Sequence, residues 1–95
     1  MKKRISKWND GDSGQFTDGS RFRLANVRCP EKHQFGGKTA TRTAASMTGR
    51  SKGYVNVKKV GVSYGRSVVH MRNKDGSINR RMRSKGYRSK GRWIN

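Results

Sequence analysis

Only five side chains in this sequence carry a carboxylate: Asp10, Asp12, Asp18, Asp75 and the sole glutamate, Glu31. They stand among 24 lysines and arginines that give a formal net charge of +19. A field of that sign and size selects polyanions, so each acid works against binding the expected partner and needs its own reason to be there. Asp18 and Asp75 each precede a glycine in a predicted turn, where the carboxylate can bond nearby backbone, and both read as structural. Asp10, Asp12 and Glu31 remain for chemistry. A carboxylate flanked by arginines stays ionised at neutral pH and can take a proton from water, while guanidinium pairs can hold a phosphate bidentately.

Other reactive types are sparse. Cys29 is alone, which excludes an intrachain disulfide and a cysteine-based zinc cluster, and no histidine is identifiable as its partner, so it reads as a packing group. His33 follows Glu31 by two residues and reads either as a solvent-exposed loop histidine or as a proton donor to a leaving oxygen. His70 lies in a predicted strand and reads as a packing or phosphate-contacting residue. Among the aromatics, Tyr64 and Tyr87 are the candidates to stack on bases; Tyr54, Trp8 and Trp93 are assigned to the small core.

Positioning these groups falls to one small domain, residues 1–87, followed by a basic tail, 88–95. At 95 residues and 29% hydrophobic content the chain has a thin core and no room for a second one. Asp10-Gly11 and Asp18-Gly19 separate short extended runs, a hairpin signal. In the run from Ser20 to Val27, Phe22 and Leu24 alternate with Arg21 and Arg23, giving one apolar and one cationic face, and Pro30 closes the strand. Ala40, Ala44 and Met47 recur at helical spacing within Lys38 to Met47. Two more strands follow, Gly53 to Val62 with a shift in alternation before Val60, and Ser67 to Met71. A turn at Lys74-Asp75-Gly76 leads to a short helix carrying Ile78 and Met82. The expected fold is mainly β with α: a five-stranded OB-type barrel with one helix between strands three and four and a short C-terminal helix.

Partner and compartment follow from the same composition. Nucleic acid, DNA or RNA, is the expected partner of a monomer with no small-molecule cofactor. Arg21, Arg28, Arg80, Arg81, Arg83 and Lys85 are the candidate phosphate contacts, along with the rest of the basic stretch from Arg80 to Arg92. No apolar run approaches the roughly 20 residues of a spanning helix, and the basic start Met1-Lys2-Lys3-Arg4 has no apolar stretch behind it, so an intracellular protein, of a virus or mobile element, is expected.

Four dispersed runs then carry a more specific resemblance: Asn9-Asp10-Gly11-Asp12-Ser13, Phe22-Arg23-Leu24-Ala25-Asn26-Val27-Arg28-Cys29-Pro30-Glu31, Tyr64-Gly65-Arg66, and Asp75-Gly76-Ser77-Ile78-Asn79. In order and spacing the stretch from Trp8 to Tyr87 resembles the staphylococcal nuclease (thermonuclease) family. The resemblance implies an OB barrel with helices and hydrolysis of DNA and RNA with little sequence preference. Carried over residue by residue, it implies that Glu31 is the general base and that Arg23 and Arg66 grip the scissile phosphate. Asp12 and the backbone carbonyl of Cys29 would help hold a divalent cation, calcium or magnesium. The sequence departs from the family at Arg28, where a second metal-binding Asp is usual, at Cys29 in place of a Thr, and at Val62 in place of an acid found in some members. The chain also stops soon after the second helix, without the C-terminal helix of longer members. A nucleic-acid-binding protein that no longer cuts, or a small ribonucleoprotein component, are the competing functions; the second gives no reason for the Pro-Glu and Tyr-Gly-Arg spacing.

Overall fold

The computed structural model describes residues 1–88 of the chain; most of the expected tail, including Trp93, lies outside them. The order of elements is β1 (Lys2–Trp8), β2 (Ser13–Phe16), β3 (Arg21–Leu24), α1 (Gly37–Gly49), β4 (Tyr54–Ser63), β5 (Arg66–Asn73), β6 (Gly76–Ser77) and α2 (Ile78–Ser84). The described residues are mainly β, with two helices.

The six strands form one sheet in which β1 pairs antiparallel with β2 and β4, β2 with β3, and β4 with β5. A parallel pairing of β3 with β5, in the register Phe22↔Ser67, Arg23↔Val68 and Leu24↔Val69, joins the two ends of that series into a ring. Short strands curl this tightly only with local breaks in register. Register shifts occur in β1 between Ile5 and Lys7 and in β4 between Lys59 and Gly61, the second at the point where the sequence alternation slips.

The ring encloses a core centred on Phe22, whose side chain is fully buried on the apolar face of β3. Its ring meets Trp8 edge-on at 5.1 Å and lies tilted at 4.6 Å from Phe16. Helix α1 closes one side with Ala40, Ala44 and Met47, all buried. Its threonines are poor helix formers, and three of them return their hydroxyls to the preceding turn, Thr41 to the Gly37 carbonyl at 2.9 Å, Thr43 to the Thr39 carbonyl at 2.8 Å and Thr48 to the Ala44 carbonyl at 3.1 Å. The buried alanine stripe therefore holds this helix. Trp8 adds a hydrogen bond from Nε1 to Thr48 Oγ1 at 3.0 Å, tying β1 to the last turn of α1.

Several expectations need correction. Six strands form, not five: the two-residue β6 pairs with β5, so the second helix follows a sixth strand. The strand expected to run to Val27 stops at Leu24, because Asn26 takes a left-handed φ of 61°, which breaks the extended run before Pro30 is reached. Arg88, placed with the tail, pairs with Val27 in an isolated antiparallel bridge.

The buried polar residue that holds the ring's seam is Asn79, fully enclosed at the start of α2. Its Oδ1 accepts from the Met71 N–H at 2.8 Å, and its Nδ2 donates to the carbonyls of Ala25 and Val69, each at 3.0 Å. One amide thus ties α2, β5 and the end of β3 together. Replacing Asn79 by Ala strands the Met71 N–H and the Ala25 carbonyl, each costing about 1–3 kcal/mol unless water reaches it, while the Val69 carbonyl keeps the Ala25 N–H at 2.9 Å. Urea unfolding of Asn79→Ala is expected to lose about 3 kcal/mol or more, with the midpoint falling accordingly.

Candidate functional site

Three connections meet at the end of the ring where β3 and β5 pair: the β1–β2 turn, the segment between β3 and α1, and the β4–β5 turn. The β1–β2 turn is made tight by backbone bonds from Asn9 and Asp10 N–H to the Ser13 carbonyl, at 2.9 and 3.2 Å. Gly11 lies in it with no room for a side chain: a Cβ would fall 2.8 Å from Cys29 Sγ and 2.9 Å from Ala40 Cβ. The turn is thereby pressed between α1 and the Cys29 segment, which delivers Asp12 to the interior.

Asp12 is buried, and its position is fixed from two sides. Its carbonyl accepts from the Leu24 N–H at 2.8 Å, locking it to β3. Its carboxylate Oδ2 accepts from the Cys29 N–H at 3.2 Å and lies 3.5 Å from Arg23 Nη1. Burial raises the Asp12 pKa; the Arg23 charge and the Cys29 hydrogen bond pull it back, the neighbouring Asp10 raises it, and Arg66 lowers it. Net, it stays above the ordinary carboxylate value. Asp10 is bound into the loop, with Oδ1 accepting from Lys32 N–H at 3.0 Å and Oδ2 from Ser13 Oγ at 3.3 Å.

The segment after β3 presents Arg28, Cys29, Pro30 and Glu31 in succession. The Arg28 N–H reaches the Tyr87 carbonyl at 3.4 Å, beside the Val27–Arg88 bridge, so the chain leaving α2 braces this segment. Cys29 is buried, and burial together with the Asp12 and Asp10 charges pushes its thiol up to about 12. It is therefore a protonated wall group at neutral pH, not a nucleophile. Glu31 is anchored through its backbone: its N–H donates to Gln34 Oε1 and its carbonyl accepts from the Gln34 N–H, both at 2.8 Å. Gly37 makes this approach of loop to helix feasible, since a Cβ there would overlap the Glu31 carbonyl. The Glu31 side chain is exposed and has no ion-pair partner among the described residues.

Together these groups line a cleft of about 780 Å³, with Asp10, Asp12, Arg23, Arg28, Cys29, Glu31, Tyr64, Arg66 and Arg88 in its walls. Tyr64 is held outward, 90% exposed, by a left-handed φ of 51° at the β4–β5 turn. The cleft thus gathers Glu31, Arg23, Arg66, Asp12, Cys29, Arg28 and Tyr64, all singled out from the sequence.

The other expected contacts lie elsewhere. Arg21 leans on the neighbouring turn, its Nη2 3.4 Å from where a Gly65 Cβ would stand. Arg80, Arg81, Arg83 and Lys85 lie in or just after α2 and do not line the cleft. Arg81 and Arg83 are half-buried, and each has a buried Nη1 without a partner among the described residues. Tyr87, expected to stack on bases, packs against the core. His33 and His70 are both exposed. Arg88, expected only as one of the phosphate contacts of the basic stretch from Arg80 to Arg92, lines the cleft itself, and Phe35 had no place among the expected residues. Phe35 is fully exposed in the loop that carries Glu31, next to Gln34 on the cleft wall; a large aromatic before Gly36-Gly37 was the available signal.

For a divalent cation the cleft offers the Asp12 and Glu31 carboxylates and the Cys29 carbonyl, whereas calcium takes about six to eight oxygens. One Asp12 oxygen is already engaged, both Asp10 oxygens are bonded, and a guanidinium is three residues from Glu31. Among the described residues no three His, Cys, Asp or Glu side chains form a metal-binding group. This donor set fits calcium poorly. In comparisons with known proteins, no family model matches the chain and no curated protein matches it.

The raised Asp12 pKa fixes a pH dependence. As pH rises above the ordinary value of 3.8, the unfolded chain releases this proton before the folded one does, so stability falls through the interval up to the raised value. Asp18, held by Lys3 and Ser20, and Asp75, held by Arg50, are both lowered and act at more acid pH with the opposite sign. Asp12→Asn keeps an acceptor for the Cys29 N–H and removes the titration. Its stability relative to the parent chain, from urea unfolding at several pH values above 4, is expected to improve with rising pH; a pH-independent difference would rule out a raised Asp12 pKa.

Proposed function

We propose that the cleft is the active site of a phosphodiesterase that hydrolyses DNA or RNA with little sequence preference, set in an OB-type barrel of the staphylococcal nuclease kind. The observation that carries this reading is the convergence of Asp12, Arg23, Glu31, Tyr64 and Arg66, from three separate stretches of sequence, on one cleft. The closed ring of pairings, with a parallel β3–β5 seam, supports the barrel reading.

The chemistry follows from charge. A phosphodiester bears one negative charge and gathers more as water adds, so fixed cations must meet it before an oxygen nucleophile can approach. Arg23 is held in place by Asp12, and Arg66 starts β5, the strand paired with β3. Their forks suit two phosphate oxygens. Glu31, exposed at the rim on a loop tied down by Gln34, accepts the proton of the attacking water. Tyr64 offers an open ring face to a base beside the phosphate.

A second reading, a binding module that does not cut, is favoured by the engagement of Asp12 with Arg23 and by Arg28 in the same cleft. Incubation with plasmid and with RNA separates the two, since both readings give salt-sensitive binding and only the first gives products. Glu31→Gln is expected to abolish cutting while oligonucleotide affinity stays within about threefold, and cutting that survives this substitution removes Glu31 as the base. Tyr64→Ala is expected to leave the Tm unchanged and to weaken single-strand binding by about 1–3 kcal/mol. Equal binding by the variant would show that the ring makes no contact with a base.

A further inference from the structure

We propose that Arg28 takes the place of a divalent cation in this cleft, so that phosphodiester cleavage runs on guanidinium charge without metal. The inference rests on the reading of the cleft as a phosphodiesterase site. Four guanidiniums line it, those of Arg23, Arg28, Arg66 and Arg88, against the carboxylates of Asp10, Asp12 and Glu31. The carboxylates are not equal. Asp12 is spent on Arg23 and the Cys29 N–H, and Asp10 on the loop that leads to Glu31. Arg28 and Arg88 are exposed and have no carboxylate partner among the described residues.

Their placement is structural. The Val27–Arg88 bridge and the Arg28 N–H bond to the Tyr87 carbonyl set the two segments side by side, so both side chains reach the same cleft from one short β pairing. A cation bound at Asp12 would face this pair, and like charges at such a site repel. A phosphate there meets the reverse situation. Arg23 is partly neutralised by Asp12, and Arg28 supplies the charge that this pairing removes.

The step balances with the groups present. Water adds to phosphorus as Glu31 takes its proton, a P–O bond to the new hydroxyl forms, and the bond to the leaving sugar oxygen breaks. That oxygen takes a proton from solvent. Arg23, Arg28 and Arg66 carry the negative charge that builds on the non-bridging oxygens.

The test measures cleavage of plasmid and of a fluorescent RNA by the purified full chain, with EDTA, calcium or magnesium. The proposal expects equal rates in EDTA and in calcium. Arg28→Ala is expected to lower kcat by about 10²–10³-fold in EDTA with little change in KM, and Arg28→Lys to recover part of it. Arg28→Asp should turn the protein into one stimulated by calcium. Cleavage abolished by EDTA and restored by calcium in the parent chain overturns the proposal, as does an Arg28→Ala variant that cuts at the parent rate. Should Arg28→Ala lose its fold, the EDTA comparison on the parent chain decides. A parent chain that binds but cuts in none of the three buffers overturns the phosphodiesterase reading itself and this inference with it.

Discussion

The parallel contact between β3 and β5 is the constraint on which the rest depends. Neighbouring strands in sequence pair readily through tight turns, but a parallel pair needs a long crossover, here supplied by α1 and β4. Only this contact turns a curled sheet into a ring. It also sets Arg23 opposite Val68, two residues into the strand that Arg66 begins, so two cationic side chains distant in sequence share one end of the ring. Phe22 behind the seam and Asn79 beneath it supply the apolar contact and the hydrogen bonds that hold it closed.

A second tension shapes the site. A chain with formal net charge +19 would bind phosphate over most of its surface, and nothing in net charge distinguishes one patch from another. What distinguishes the cleft is its carboxylates. Asp12 is buried at an energetic cost visible in its raised pKa, and that cost is offset by orienting Arg23 and by fixing the Cys29 segment ahead of Glu31. Asp10 does similar work on the loop through the Lys32 N–H. The two acids outside the cleft are structural in a plainer sense: Asp18 holds the β2–β3 turn through Ser20 and reaches Lys3, and Asp75 reaches Arg50 at the end of α1.

Much of this was legible in the sequence where the cause is local. Asp-Gly pairs marked the first two turns, the alanine spacing marked α1, and alternation of Phe22 and Leu24 with arginines gave the correct faces of β3. The acid census led to residues that converge on the cleft because acids are rare enough here for each to be informative. Long-range effects were not legible. Nothing near Asn26 announces its positive φ, so β3 was drawn too long. Asn79 looks like any helix-start asparagine until β5 and the Ala25 carbonyl are brought to it. Arg81 and Arg83 read as exposed phosphate contacts, yet the packing of α2 half-buries both, and Tyr87 turns to the core while its carbonyl braces Arg28.

On the proposed reading, phosphate is recognised at this one end of the ring and not by the general basic surface. Amide and guanidinium NMR spectra recorded during titration with a short single-stranded oligonucleotide, at an ionic strength high enough to screen exposed charges, test it most directly. Shifts are expected at Asp12, Arg23, Arg28 to Glu31 and Tyr64 to Arg66, with α2 and the Lys2–Arg4 segment of β1 little affected. Shifts centred on Arg80, Lys85 or Lys2–Arg4, with the cleft silent, would contradict it.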